Sequence, residues 1–176
     1  MIEVESKFWS PGNDKVEKAL LRLGAKKVSE GTMEDIYFSH PSRDFGKTDE
    51  AFRLRKMDGR TELTYKGPRM RMEHTKAREE VTLSVSDPLA AQRIVERLGF
   101  QERHVVSKKR ASYVLDKLRV EVDEVEGLGQ FVELELITEE PQRAQTLIAM
   151  AQEQLGLERG EPRTYLEMLI EKKPSA

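Results

Sequence analysis

Ile2-Glu3-Val4-Glu5-Ser6-Lys7-Phe8 is the stretch whose reading decides the fold. Side chains alternate between the two faces of a strand, so Glu3, Glu5 and Lys7 share one face and Ile2, Val4, Ser6 and Phe8 the other. The apolar face needs cover, which leaves two carboxylates and an ammonium pointing at whatever lies behind. For this strand alone, a solvated outer sheet face would be an adequate explanation. The same pattern recurs along the chain, however. Arg53 and Arg55 oppose Phe52 and Leu54, and after the Asp58-Gly59 turn Glu62, Thr64 and Lys66 share a face. Arg78, Glu80, Thr82 and Ser84 oppose Val81, Leu83 and Val85, and Lys108, Arg110 and Ser112 line up in a further strand. Arg119, Glu121 and Asp123 oppose Leu118, Val120 and Val122, and Glu133 and Glu135 oppose Val132, Leu134 and Leu136. This recurrence predicts a barrel with a charged interior and apolar faces turned outward under helices.

Three helices are expected to supply that cover. Val16, Ala19, Leu20 and Leu23 recur at helical spacing after Ser10-Pro11-Gly12-Asn13-Asp14, and Gly24 ends the run. Asp87-Pro88 opens a second helix, with Leu89, Ile94, Val95 and Leu98 as its stripe and Gly99 as its stop. Pro141 begins a third, through Ala144, Leu147, Ile148, Ala151 and Leu155 to Gly156, and Tyr165 to Ile170 forms a last helical stretch whose Tyr165 and Leu169 are read as packing residues. Met33 to Ser39 and Val105 to Tyr113 read as strands. Arg69 to Lys76, which lacks a clean period after the Gly67-Pro68 break, is expected to be a mobile basic loop. A charged-face strand, a helix ending in Leu-Gly, a further strand and a charged hairpin occur in that order twice, so residues 1–176 are read as one internally duplicated domain.

Composition excludes several functions. The chain has 30 basic and 32 acidic residues for a net charge of −2, so it is not a general nucleic-acid binder, and any charge function must come from local segregation. Charged residues make up 35% of it, above the roughly 25% of an average domain, so many of them must be structured. With no cysteine there can be no disulfide, thiolate metal site or cysteine nucleophile, in keeping with a cytoplasmic location. No signal segment or membrane-length apolar run is apparent. His40, His74 and His104 lack ligand spacing and read as surface residues.

Interior charges on this scale are costly unless solvated, paired or bound to ligands. Arginine and lysine suit oxygen-rich polyanions, and the carboxylates suit a hard divalent cation such as Mg²⁺ or Mn²⁺. A basic wall is also expected to repel itself, so that removing Arg55 or Lys108 would leave the ligand-free protein as stable or more so. Lys66 and Tyr37 form a candidate acid–base pair if the cationic interior lowers the lysine pKa.

Seven motifs in order carry a resemblance: Glu3-x-Glu5-x-Lys7, Arg53-x-Arg55, Lys66-Gly67-Pro68, Arg78-x-Glu80, Lys108-x-Arg110, Asp123 to Gly129, and Glu133-x-Glu135. Together they resemble the CYTH superfamily, the triphosphate tunnel metalloenzymes. The resemblance implies an α+β fold: a closed, eight-stranded antiparallel β-barrel, or tunnel, with a charged interior and helices outside. It implies Glu3, Glu5, Asp123, Glu133 and Glu135 as metal ligands or their supports, and Lys7, Arg53, Arg55, Lys66, Arg78, Lys108 and Arg110 as triphosphate contacts. Glu79 beside Arg78, and Lys109 beside Lys108, leave the register there open by one residue.

The Glu126-Gly127-Leu128-Gly129 turn, Ser107-Lys108-Lys109-Arg110 and Asp35-Ile36-Tyr37-Phe38 resemble the class IV adenylate cyclases most. The expected function is therefore metal-dependent conversion of ATP to cyclic AMP and pyrophosphate. Its alternatives are a triphosphatase acting on inorganic triphosphate, thiamine triphosphate or a nucleotide, and a non-catalytic polyphosphate-binding module. A purely structural barrel would instead fill a closed interior with charge pairs. The implied partner is a triphosphate-containing small molecule, not a membrane or a specific nucleic acid, and a homodimer is left open.

Overall fold

The computed structural model describes residues 2–72 and 75–172, with the backbone alone for Ile2, Arg71, Met72, Thr75 and Lys76. Among these residues the chain runs β1 (Ile2–Trp9), α1 (Asn13–Arg22), β2 (Lys26–Ser39), α2 (Phe45–Thr48), β3 (Ala51–Met57), β4 (Arg60–Lys66) and β5 (Met70–Met72). It continues through β6 (Thr75–Ser84), α3 (Pro88–Arg97), β7 (Gln101–Leu115), β8 (Leu118–Val125), β9 (Gly129–Thr138), α4 (Pro141–Leu155) and α5 (Tyr165–Lys172). Each sheet pairing is antiparallel, in the order β1-β9-β8-β7-β2-β3-β4-β6, and β6 returns to β1 with Glu3 opposite Arg78, closing an eight-stranded barrel. Closure leaves no free edge and forces each strand to divide its side chains between inside and outside. Exchanging β1 with β6, β2 with β7, β3 with β8 and β4 with β9 leaves this order unchanged.

The principal core lies outside the barrel wall. Val4, Phe8, Val120, Val122, Val132 and Leu134 on the outward faces of β1, β8 and β9 pack against Val16 and Leu20 of α1 and Ala144, Ile148 and Leu155 of α4. A second cluster joins Ile36, Phe38 and Leu54 to Val95 of α3, whose first turn is fixed by the Asp87 side chain accepting from Ala90 N at 3.0 Å. A third is internal. Val106, Val125 and Phe131 face inward at one end of the barrel and meet Tyr165, Met168, Leu166 and Leu169 of α5, which stoppers that end. α5 begins with a capping box, in which Glu167 N donates to Thr164 Oγ1 at 3.1 Å and the Glu167 carboxylate accepts from Thr164 N. Gly127, at φ 76 in the β8–β9 turn, lies under α5, where a Cβ would stand 3.6 Å from Leu169 Cδ2.

Several sequence expectations change. β2 and β7 are longer than their alternation suggested, because the two pair with each other over almost their whole length through two irregularities in register. The Arg69-to-Lys76 stretch is no simple loop: β5 continues the β4 side of the hairpin beyond the Gly67-Pro68 interruption and pairs with β6. Glu73 and His74 lie outside the described residues. The apolar stripe of α3 is not buried as a stripe. Val95 reaches the core, whereas Leu98 is 68% exposed, and Leu89 and Ile94 are similarly open. This ten-residue helix covers β2 and β3 through Val95 and Ala91, and its other apolar positions point past them. Val81 and Leu83, on the outward face of β6, are likewise exposed rather than lying under a helix.

This division predicts unequal mutational costs. Leu134→Ala should lower unfolding free energy by about 2–5 kcal/mol, because a fully buried site cannot fully collapse. Leu98→Ala should change it by no more than about 0.5 kcal/mol. Denaturant titration of the two variants is the check.

Candidate active site

Strand register assigns the inward positions, and the charges settle accordingly. Arg78 and Lys108 face in, whereas Glu79 is exposed and Lys109 is 61% exposed, so both register ambiguities resolve toward the first reading. The interior encloses a cavity of about 750 Å³ lined by Glu3, Glu5, Lys7, Tyr37, Arg53, Arg55, Lys66, Arg78, Lys108, Arg110, Glu133 and Glu135, among others. As many acidic as basic side chains line it. A charged lumen of this size is where water or ligands, rather than protein alone, complete the solvation.

Two pairs across adjacent strands anchor the walls. Arg55 on β3 donates through Nε and Nη2 to the two oxygens of Asp35 on β2, at 2.6 and 2.7 Å, and Arg53 Nη1 stands 3.5 Å from the same carboxylate. On the two strands next to β2, Arg110 of β7 grips Asp123 of β8 with Nε at 2.6 Å and Nη2 at 2.5 Å, and also bonds Glu133 of β9. Lys108 Nζ lies 3.3 Å from Asp123, and the Tyr165 hydroxyl donates to Asp123 Oδ2 at 2.9 Å. Such planar forks are the strong form of ion pair. Although burial works against their charge, Arg53 and Arg55 hold Asp35 well below the usual carboxylate range, and Arg110 and Lys108 hold Asp123 and Glu133 low.

A different group lies beyond β8. Glu3 and Glu5 of β1 and Glu135 of β9 present carboxylate oxygens within 4.8 Å of one another. Burial raises the Glu3 carboxyl to about 7, against the opposing pull of Lys66 and with help from Glu80 and Glu5. Burial and the neighbouring Glu3 raise Glu135 well above its usual range. A cluster of hard oxygen donors, in which burial first and neighbouring carboxylates second keep Glu3 and Glu135 from ionising, fits a hard divalent cation, which would reverse that effect. Among the five carboxylates named from the sequence, these three come together, while Asp123 and Glu133 are engaged by Arg110.

The basic groups divide as well. Lys66 bonds Glu80, beside which Arg78 Nε stands at 3.3 Å, and Arg78 Nη2 reaches 4.0 Å from Glu5. Burial, and then Arg110, lower Lys108 to about 8, and burial also lowers Lys7. Arg53 Nε is buried without a hydrogen-bond partner, a donor free for a ligand oxygen. Burial and Asp35 raise Tyr37, whose ring packs in the internal apolar cluster beside Arg53. Lys66 and Tyr37 both line the cavity but do not bond each other. The expectation of a self-repelling basic wall fails at Arg55, because its charge is matched by Asp35.

Two residues central to this arrangement are not among the site residues expected from the sequence, where Asp35 stands only within a strand motif and Tyr165 as a packing residue. Asp35 could have been found, since alternation puts it on the same face as Tyr37. Tyr165 carried no such signal: it opens a helix whose other apolar residues pack, and only the tertiary fold turns its hydroxyl into the barrel.

A closed antiparallel barrel with Arg–carboxylate forks and a clustered glutamate trio inside defines a recognisable class of tunnel proteins. A family profile described as the CYTH domain matches residues 1–165, and the chain belongs to that family. It is 42% identical over 135 residues to a Methanocaldococcus jannaschii protein named "Putative adenylate cyclase MJ0240", covering 77% of each chain. The solved structure of PH1819 from Pyrococcus horikoshii is similar with a TM-score of 0.86 and 38% identity, over 97% of this chain and 99% of that one. HpAC1 from Hippeastrum shares the fold with a TM-score of 0.73 at 20% identity, over 97% of this chain and 96% of its own, and is described as having a dominant triphosphatase activity.

Two measurements follow from the electrostatics. Arg55→Ala removes both short hydrogen bonds from buried Asp35 and leaves Arg53 as its remaining cation, so it should destabilise the ligand-free protein by about 1–3 kcal/mol, while Arg55→Met with Asp35→Leu should cost less than the single change. The second concerns pH. Glu3 holds its proton up to about 7 in the folded state and only to about 4.5 when unfolded, so the folded state binds more protons between those values. Glu135 acts in the same sense, so metal-free stability should fall as pH rises from 5 to 7.5. Added Mn²⁺ should flatten the fall, as read from thermal midpoints across that range.

Proposed function

We propose that the protein is a metal-dependent enzyme acting on a 5′-triphosphate held inside the barrel, and that its reaction is the cyclisation of ATP to cyclic AMP and pyrophosphate. The observation carrying this reading is the glutamate trio beside a cationic wall in one open cavity. A pure anion site gains nothing from carboxylates that repel its ligand, and a purely structural lattice of ion pairs would leave no such space. Magnesium or manganese held by Glu3, Glu5 and Glu135 would neutralise phosphate charge and bridge it to the protein.

The charges are graded along the barrel. Tyr37, Arg53, Lys7 and Lys108 lie toward the end stoppered by α5, and Glu3, Arg60, Arg119 and the exposed Ile137 lie toward the other. This polarity supports entry through the unstoppered mouth with the terminal phosphate leading. Arg53, Lys7 and Lys108 then receive the terminal phosphates, Arg55 and Arg110 line the middle, and the α-phosphate stops near the carboxylate trio with its nucleoside at the mouth. In the cyclase step the ribose 3′ oxygen bonds the α-phosphorus, the bond from that phosphorus to the bridging oxygen breaks, and pyrophosphate departs. The 3′ proton leaves through water to solvent in this proposal, Lys66, an ammonium lying against Glu3 and Glu80, donates to the phosphate oxygens at the reacting end, and Tyr37 positions Arg53. The reading is supported by the cyclase name of the M. jannaschii relative.

A triphosphatase is the second reading, favoured by the concentration of cations at the deep end and by the activity described for HpAC1. It needs water in line with the terminal phosphate and can ignore the organic end. Product identity separates the two. Incubation with ATP and Mn²⁺ should give cyclic AMP and pyrophosphate by chromatography, with Glu5→Gln folded but inactive. Orthophosphate from inorganic triphosphate, with no cyclic AMP from ATP, would overturn the cyclase in favour of the hydrolase.

A further inference from the structure

Tyr165 sits where the polar cavity meets the apolar stopper. Its ring packs on Phe131 at a centroid distance of 5.1 Å and is buried. Lys7 Nζ stands 4.2 Å from the ring centroid and Lys108 Nζ 5.1 Å, so one aromatic ring gathers the two deepest ammonium groups. The hydroxyl is tied to Asp123, which also holds Arg110. One residue therefore ends the lumen and fixes the cations nearest that end.

The helix that carries Tyr165 is fastened at both ends. Glu167 accepts from Arg69 at 2.8 and 3.2 Å, while the same guanidinium bonds Asp49, joining α5 to the interruption after β4. Lys172 Nζ donates to the carbonyl of Gly127 at 2.5 Å, joining the far end to the β8–β9 turn. The end wall is thus a fixed surface. From Glu3 to Lys7 along β1 is four residues, about 14 Å of strand and roughly 10 Å along the axis of a barrel tilted by 35–45°. That depth suits a short phosphate chain whose last group meets Lys7 and Lys108 at the ring.

We propose that Tyr165 is the end stop that selects phosphate-chain length, admitting a triphosphate and excluding longer linear polyphosphates. The inference rests on the triphosphate-binding reading above and makes Tyr165 a positioning residue, acting by its ring and through Lys7 and Lys108 and not in the bond-changing step. Removing the ring lengthens the lumen past Lys108 toward Met168. Removing the hydroxyl alone does not.

The test is titration calorimetry with Mg²⁺ and inorganic triphosphate or linear tetraphosphate, on the full chain. In the parent protein triphosphate should bind at least tenfold more tightly. Tyr165→Phe should keep that ratio within about twofold, and Tyr165→Ala and Tyr165→Leu should reduce it tenfold or more by admitting tetraphosphate. Met168→Ala loosens the stopper beneath the ring and should leave the ratio unchanged. If Tyr165→Ala and Tyr165→Leu weaken both ligands equally, the residue is only a support for the stopper and the end-stop assignment falls. If the parent protein binds neither polyphosphate, the triphosphate reading itself fails, a result distinct from an unchanged ratio.

Discussion

An ionised side chain turned into a closed barrel must find a partner, water or a ligand, and the rest of this structure depends on how that requirement is met. The forks Arg55–Asp35 and Arg110–Asp123 meet it within the wall. Each joins residues directly opposite on neighbouring strands, β2 with β3 and β7 with β8, so the same contact that neutralises a charge also fixes strand register. A slip of one residue on either strand would move a guanidinium to the outer core and an aliphatic side chain into the lumen. Register is held from both faces.

Where pairing within the wall is incomplete, function can reside. Glu3, Glu5 and Glu135 crowd one another, and burial, with their neighbours' charge added, raises Glu3 and Glu135 above the usual carboxylate range. Lys108, lowered to about 8 by burial and then by Arg110, shows the opposite tension. A metal would relieve the first and a phosphate the second. The two stresses share one cavity, so a metal–phosphate complex would relieve both at once, which neither ligand would do alone.

The barrel was legible because its charges keep a period of two in strand after strand, and a charged inner face stands out against Val120-x-Val122 or Val132-x-Leu134. The interior positions of Arg53, Arg55, Arg78, Arg110, Glu133 and Glu135 needed no more than that. The outer cover was less legible. A helical apolar stripe such as Leu89, Ile94, Val95 and Leu98 declares that a helix can bury a face, not that a sheet lies opposite each position, and only Val95 found one. β5 was hidden because three residues are too short for alternation to register. Tyr165 was hidden for a different reason: its role depends on where α5 docks, which capping residues and apolar spacing do not encode.

The strand order is symmetric, but the chemistry laid on it is not. In one half the fork has its carboxylate on β2 and its arginine on β3; in the other the arginine is on β7 and the carboxylate on β8, so equivalent places carry opposite charge. The first strands differ too, with Glu3, Glu5 and Lys7 on β1 against Arg78 and Glu80 on β6. β1 and β6 are paired neighbours, so this contrast meets at one seam, where Arg78 approaches Glu5 and Lys66 faces Glu3. A barrel with two identical halves would place equal charge on both sides of that seam and hold metal and phosphate equally badly. The swapped signs put the glutamate trio on β1 and β9 and set Lys66 and Arg78 beside it on β4 and β6, so that a phosphate bound there would meet a trio-held cation and the wall together.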